Sequence, residues 1–245
     1  FFCANMTVEM DNTDKLKVLF EDAQKMGITF ELPDINRSNY RFEPVSDTVI
    51  RYGLGAIKGT GEKAINAIIT ARTEGGAFTS LFDFCNRVER NCLNKRTVEA
   101  LIKAGAFDSL ELNRAALLAS IELAFEYAST QAANANQGGL FDMLDDGHGS
   151  STQEPELVQT TPWSLKERLV QEKTAVGFFL SGHLFDEHAK EIRAFIRTPL
   201  ADLIDSREPQ LIAGIVSDLR FINGNRGKLA LFRLDDNSEA LEANA

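Results

Sequence analysis

The chain has 245 residues, 44% of them hydrophobic, and a formal net charge of −10, which excludes a uniformly cationic nucleic-acid coat protein and leaves apolar material for two or more compact units. No apolar run reaches the roughly 18–20 residues of a membrane span, so no membrane partner is expected. Phe1–Met6 lacks the basic flank and apolar core of a secretory signal, and the odd, non-CxxC set Cys3, Cys85 and Cys92 points to a reducing, cytoplasmic setting. With no Met at position 1, the chain is expected to begin inside a longer polypeptide.

In chain order, Asp11-Asn12-Thr13 reads as a cap for an amphipathic helix that carries Leu16, Val18, Leu19, Phe20, Ala23 and Met26 and closes at Gly27. Ile28–Phe30, Arg41–Glu43 and Thr48–Tyr52 predict three short strands, with Pro44–Asp47 turning between the last two. They lead to Tyr52–Arg72, YGLGAIKGTGEKAINAIITAR, in which the turn Lys58-Gly59-Thr60-Gly61 runs straight into an apolar-periodic helix. Glycines let a backbone approach a phosphate closely, and a helix N-terminus adds free N–H groups and the positive end of its dipole. Lys58 and Lys63 flank the turn with mobile charge. Two readings stand on spacing alone: a phosphate cradle, or an ordinary tight turn.

Glu74–Ala77 stops that helix, and Thr79 or Ser80 caps the next one, around Phe78–Phe84. A further helix spans Asn94 to Gly105. Its lead-in, Cys92-Leu93-Asn94-Lys95, holds the place that Lys58–Gly61 held before, so turn and helix occur twice. The second turn lacks glycines, which leaves its phosphate grip to Lys95 and Arg96. From Thr48 to Leu110 nine Lys/Arg face six acids, net +3, whereas Glu111 to Leu165 has eight acids and one Arg, net −7. Local sign, rather than the total, governs a phosphate-binding face.

Asn113–Thr130 predicts one longer helix. Gln131–Gly139 and Asp145–Thr161 then read as flexible linker, with the apolar island Leu140–Leu144 between them. Leu140 and Phe141, with Gln137 three residues earlier, suit a docking peptide; the alternative is that they pack back on the preceding helix. Trp163-Ser164 to Val176 predicts a helix ended by Gly177, Asp186–Ile196 a short one, and Pro199–Ile204 one more. Leu211–Arg220 and Lys228–Leu234 predict two strands around a glycine-rich, basic hairpin, the opening of an oligonucleotide-binding barrel left incomplete. The fold class is therefore mainly α with small β parts: a twice-repeated turn-and-helix unit, a helical linker region and an incomplete OB-type barrel. Asp145-Asp146, Asp235-Asp236 and the His183/His188 pair are not expected to hold a metal.

Seven stretches, in order along nearly the whole chain, carry a resemblance: MDNTDKLKVLFEDAQKMGI, PDINRSNYRF, YGLGAIKGTGEKAINAII, LNKRTVEALIKAGAFDSL, QGGLFDM, EKTAVGFFLSGH and LIAGIVSDLRFINGNRGKLALFRLDD. Together they resemble the C-terminal half of the alpha subunit of bacterial replicative DNA polymerase III, a C-family DNA polymerase. The resemblance implies that 1–46 is the tail of a fingers domain and 47–112 a tandem helix-hairpin-helix domain. It makes 113–161 a helix and linker with a clamp-binding peptide, 162–207 a helical connector, and 208–245 the start of an OB domain. It implies binding of double-stranded DNA without sequence readout by Lys58, Gly59, Thr60, Gly61, Lys63, Lys95 and Arg96. It further implies sliding-clamp binding by Gln137, Leu140 and Phe141, contact of the OB region with single-stranded template, and association with other holoenzyme subunits.

Within that family the catalytic carboxylates and their Mg2+ ions lie in a palm domain, and no stretch here resembles it. The parent is thus an enzyme, a DNA-directed nucleotidyltransferase, while this stretch is expected to have no catalytic residue, no cofactor and no activity alone. Leu184 stands where the family usually has Pro. The alternatives are a helix-hairpin-helix repair enzyme and a protein-interaction scaffold.

Overall fold

Helices begin where short polar side chains can accept from the first turn. The structure, a computed structural model, describes residues 1–141, 153–224 and 227–245, with the side chains of 136–141 and 224 outside that description. It forms two compact units, Phe1–Leu180 and Ser181–Ala245.

In the first unit, α1 (Phe2–Val8) precedes α2 (Thr13–Lys25), whose cap Asn12 accepts from the Lys15 N–H. Leu16, Phe20 and Ala23 form the buried face of α2, and Phe20 packs on Phe30 and Phe178 with ring centroids 4.4 and 5.0 Å apart. Strands β1 (Thr29–Glu31), β2 (Glu43–Ser46) and β3 (Val49–Arg51) make a small sheet in the order β1-β3-β2, parallel on one side of β3 and antiparallel on the other. The turn between β2 and β3 is tighter than Pro44–Asp47. Pro44 and Ser46 are both in the ladder, separated by a register shift, because proline is tolerated on an edge strand at a bulge.

A single 3-10 turn, Leu54–Ala56, then leads to α3 (Glu62–Gly75); α4 (Leu81–Arg87) and α5 (Lys95–Lys103) repeat the arrangement. Phe78, Phe84 and Phe107 stack edge-to-face at 5.0 and 4.9 Å within the core. The helix expected over 113–130 is two helices, α6 (Arg114–Ala119) and α7 (Ile121–Phe141). They divide at buried Ser120, whose hydroxyl donates to the Ala116 carbonyl and accepts from the Val158 N–H at 2.8 Å. The described part of the expected linker is therefore pinned: besides Val158, the Thr160 carbonyl accepts from Asn113 and Glu154 accepts from Ser80. Helix α7 also continues through 131–141, where alanine and glutamine favour helix despite the polar composition.

Helix α8 (Leu165–Val176) starts in a capping box between Ser164 and Glu167 and stops at left-handed Gly177. Buried Arg114 binds Asp108 through two bonds, at 2.6 and 2.7 Å, and reaches buried Glu172 of α8 at 3.4 Å. Burial disfavours the Arg114 charge, but these carboxylates more than offset it and raise its pKa. One core runs from Phe2 to Leu180.

The second unit contains α9 (Asp186–Phe195), a 3-10 turn at Leu200–Asp202 in place of a further helix, and an open antiparallel sheet. The strands are β4 (Ile215–Gly224), β5 (Gly227–Asp235) and β6 (Ala240–Asn244). The first strand starts later than expected and bulges at Asp218, φ 54°, between Ser217 and Arg220. The third strand is unanticipated: its Ala and Glu content is poor for β structure, and Asp236 sets it by accepting from the Ser238 and Glu239 N–H groups. Asp236 also accepts from Arg193 and the Leu200 N–H. Burial raises its pKa, but these bonds together hold it well below the usual carboxylate range.

Candidate nucleic-acid interface

The turn before α3 is built by its own hydrogen bonds. The Thr60 hydroxyl donates to the Leu54 and Ile57 carbonyls at 2.9 and 2.7 Å, and its N–H donates to Ile57 at 3.2 Å. Thr60 is thus a turn-maker whose donors are already used, unlike its expected role as a phosphate donor. Gly59 takes φ +83°, and a Cβ added there or at Gly61 would meet nothing within 4 Å, so both glycines face open space. Among the described residues neither glycine N–H has a protein acceptor.

Gly61 is the N-cap of α3 and, having no side chain, makes no cap hydrogen bond. The ladder begins only with the Ile65 N–H on the Gly61 carbonyl, at 3.1 Å. The N–H groups of Glu62, Lys63 and Ala64 consequently have no intrahelical acceptor. Helices α2, α4, α5, α6 and α8 instead fill one such position each, from Asn12, Ser80, Asn94, Asn113 or Ser164, whereas α1 and α9 share with α3 the lack of a side-chain cap bond.

The two turns meet. The Thr97 hydroxyl, in the first turn of α5, points to the Gly59 carbonyl at 3.5 Å. Cys92, ahead of α5, donates its thiol to Glu89 at 3.3 Å with Lys63 alongside; desolvation and Glu89 push the thiol pKa up against the opposing pull of Lys63. The N-termini of α3 and α5 therefore form one surface. On the α5 side, Asn94 accepts from the Thr97 N–H at 2.8 Å, so one donor is occupied.

The nine basic residues of 48–110 divide into two kinds. Arg72 is spent on the Ile35 and Ser38 carbonyls and on Asn39. Arg87 bonds Asp83 and the Ala71, Ala77 and Gly76 carbonyls, with its guanidinium 4.7 Å from the Phe78 ring centre. Arg51 pairs with Glu31 and Glu43, Lys103 with Glu99, and Arg90 bonds Ser129. Lys95 is exposed but paired with Glu122 at 2.7 Å, which holds the Glu122 carboxyl below its usual range. Lys58, Lys63 and Arg96 are exposed and, among the described residues, without a carboxylate partner. All three lie at the two turns. The total count overstated the charge available.

Other expected residues lie elsewhere. The side chains of Gln137, Leu140 and Phe141 fall outside the described residues, as does Asp145-Asp146. His183 sits ahead of α9, its Nε2 3.2 Å from Asp235 and its Nδ1 accepting from the Phe185 N–H. Among the described residues no group of three or more His, Cys, Asp or Glu is placed to hold a metal, and no helix is long and apolar enough to cross a membrane. Sequence reading missed Asn94 as an occupant of its own helix start and Thr97 as the link between turns; the Asn-x-x-Thr spacing was the available signal for the first.

A helix-hairpin-helix motif matches residues 27–117. The chain is 50% identical over 242 residues to DNA polymerase III subunit alpha of Neisseria meningitidis serogroup B, an alignment covering 99% of this chain and 21% of that protein. It is 40% identical to the proteins of the same name from Pseudomonas aeruginosa and Vibrio cholerae, covering 99% of this chain and 22% and 21% of theirs. The chain spans about one fifth of the length of the curated relatives it matches. Over nearly its whole length it is homologous to part of that subunit.

Proposed function

We propose that this chain is the DNA-holding portion of a bacterial replicative DNA polymerase alpha subunit, in which polymerisation chemistry and its Mg2+ ions belong to other parts of the protein. The carrying observation is the uncapped N-terminus of α3 beside that of α5, with Lys58, Lys63 and Arg96 exposed around them. One duplex phosphate accepts from the N–H groups at Gly59, Gly61 and the first turn of α3, and Lys63 adds charge. Arg96 and Lys95, once Lys95 leaves Glu122, meet the neighbouring backbone. Such contacts position a duplex and carry no sequence information. Gln137, Leu140 and Phe141 dock on the sliding clamp, and the β4–β6 sheet belongs to a region that contacts single-stranded template. Two weak attachments to the same DNA raise effective concentration and so processivity. The working location is the cytoplasm, with the other holoenzyme subunits.

Duplex binding by fluorescence anisotropy at two salt concentrations tests the first part. Replacing Lys58, Lys63, Lys95 and Arg96 with Ala is expected to weaken binding equally for unrelated sequences. The log–log salt slope is expected to fall by about one for each phosphate that is no longer neutralised. Unchanged affinity and slope sink the DNA role. For the second part, Leu140→Ala with Phe141→Ala is expected to abolish heat release on titration with the purified clamp while duplex binding stays intact. A clamp that binds the double variant as tightly as the parent refutes the docking peptide.

A further inference from the structure

The matched hairpin motif ends at residue 117, yet the first turn is held by a helix much later in the chain. The Lys58 N–H, the one backbone donor at the start of the turn, is taken by the Ala175 carbonyl at 2.8 Å. Ala175 and Val176 are buried, so this end of α8 is packed in place. Two residues on, Gly177 adopts φ +104° and caps α8 by donating to the Lys173 carbonyl at 2.8 Å. A Cβ there would stand 2.9 Å from Lys58 Nζ, 3.2 Å from its Cε and 2.0 Å from Thr13 Cγ2. The Lys58 side chain thus runs across the bare backbone of Gly177, at the carbonyl end of α8, where a helix dipole favours a cation. In the sequence Gly177 is legible only as a helix stop.

We propose that the end of α8 is part of the phosphate-holding device: Ala175 anchors the first turn, and Gly177 is a positioning residue that acts through Lys58. This rests on the DNA-holding reading above. The absence of a side chain at 177 leaves room for the Lys58 side chain along the end of α8, which gives it fewer conformations to lose when a phosphate arrives. Any side chain there displaces Lys58 and, because L-residues resist this backbone conformation, also strains the cap.

The test uses the whole chain and a random-sequence duplex, read by anisotropy across a salt series. Gly177→Ala is expected to weaken binding about three- to tenfold and lower the salt slope by about one, as Lys58→Ala does. The double variant is expected to bind no more weakly than Lys58→Ala, since both changes remove the same lysine–phosphate interaction. Additive losses, or a Gly177→Ala protein with parental affinity and slope, overturn the proposal. Thr13→Ser with Gly177→Ala removes the clash with α2 and leaves the one with Lys58. It is expected to regain the part of the thermal stability lost to that clash without regaining affinity, and recovery of both would mean that the effect was structural. A parent chain without salt-dependent duplex binding would instead overturn the DNA-holding reading itself.

Discussion

The helices α3 and α5 start at equivalent places in two hairpins, and their starting chemistry is opposite. At α3 a glycine without a side chain leaves the first N–H groups vacant, and Lys63 stands beside them with no carboxylate partner among the described residues. At α5 Asn94 fills one of those positions, and Lys95 is engaged by Glu122 of α7. Repetition of an element therefore does not repeat its binding capacity. One half of the pair is arranged for an outside acceptor, while the other is largely satisfied within the protein and contributes mainly Arg96. The first half also has the wider support, since the Lys58 N–H is held by α8.

Three substitutions break or sharpen this asymmetry. The largest effect is expected from Gly61→Asp, which places an accepting carboxylate over the vacant N–H groups and a negative charge against the phosphate. Duplex affinity is expected to fall at least about tenfold, from removal of one charge-assisted bond and the added repulsion. An affinity within twofold of the parent would show that α3 is no better a phosphate site than α5. The mirror change, Asn94→Gly, makes α5 resemble α3. It is expected to cost about 0.5–1 kcal/mol in thermal unfolding, from the lost cap and a more flexible unfolded chain, and to leave duplex binding unchanged or up to about twofold tighter. A clear loss of affinity would mean that Asn94 itself touches DNA.

The smallest effect is expected from Glu122→Gln. Lys95 depresses the Glu122 pKa, so the carboxylate is ionised at neutral pH and the pair dissolves only as pH falls through that lowered value. Neutralising Glu122 frees Lys95 without acid. Affinity is expected to rise about twofold at low salt, with the gain disappearing at high salt, because an exposed pair is weak and screened. No gain at low salt would place Lys95 away from the DNA.

Much of this surface can be read from the residues themselves. Asn12 and Ser80 announce their helices because an N-cap is a contact within a few residues of sequence. The doubled turn and the cations around it are legible for the same reason. What escaped the sequence depends on partners far along the chain. Ser120 divides a helix because Val158 returns to it. Arg72 and Arg87 count as basic in composition but are drawn onto backbone carbonyls, which no local pattern signals. Asp236 reads as half of an acidic pair and proves to be the knot of a turn that sets β6. Gly177 reads as a full stop, and only folding shows whose side chain crosses it.

The bare cap at Gly61 has a bearing on protein engineering. Its backbone lies in the extended region that Ser or Asp would adopt without strain, and a side chain there meets open space. Either substitution is expected to stabilise the free protein by about 0.5–1 kcal/mol, through the new cap and a less flexible unfolded chain. A screen that ranks variants by heat resistance would select the changes that close the site. Thermal hits at position 61 should therefore be counter-selected on DNA before they are kept.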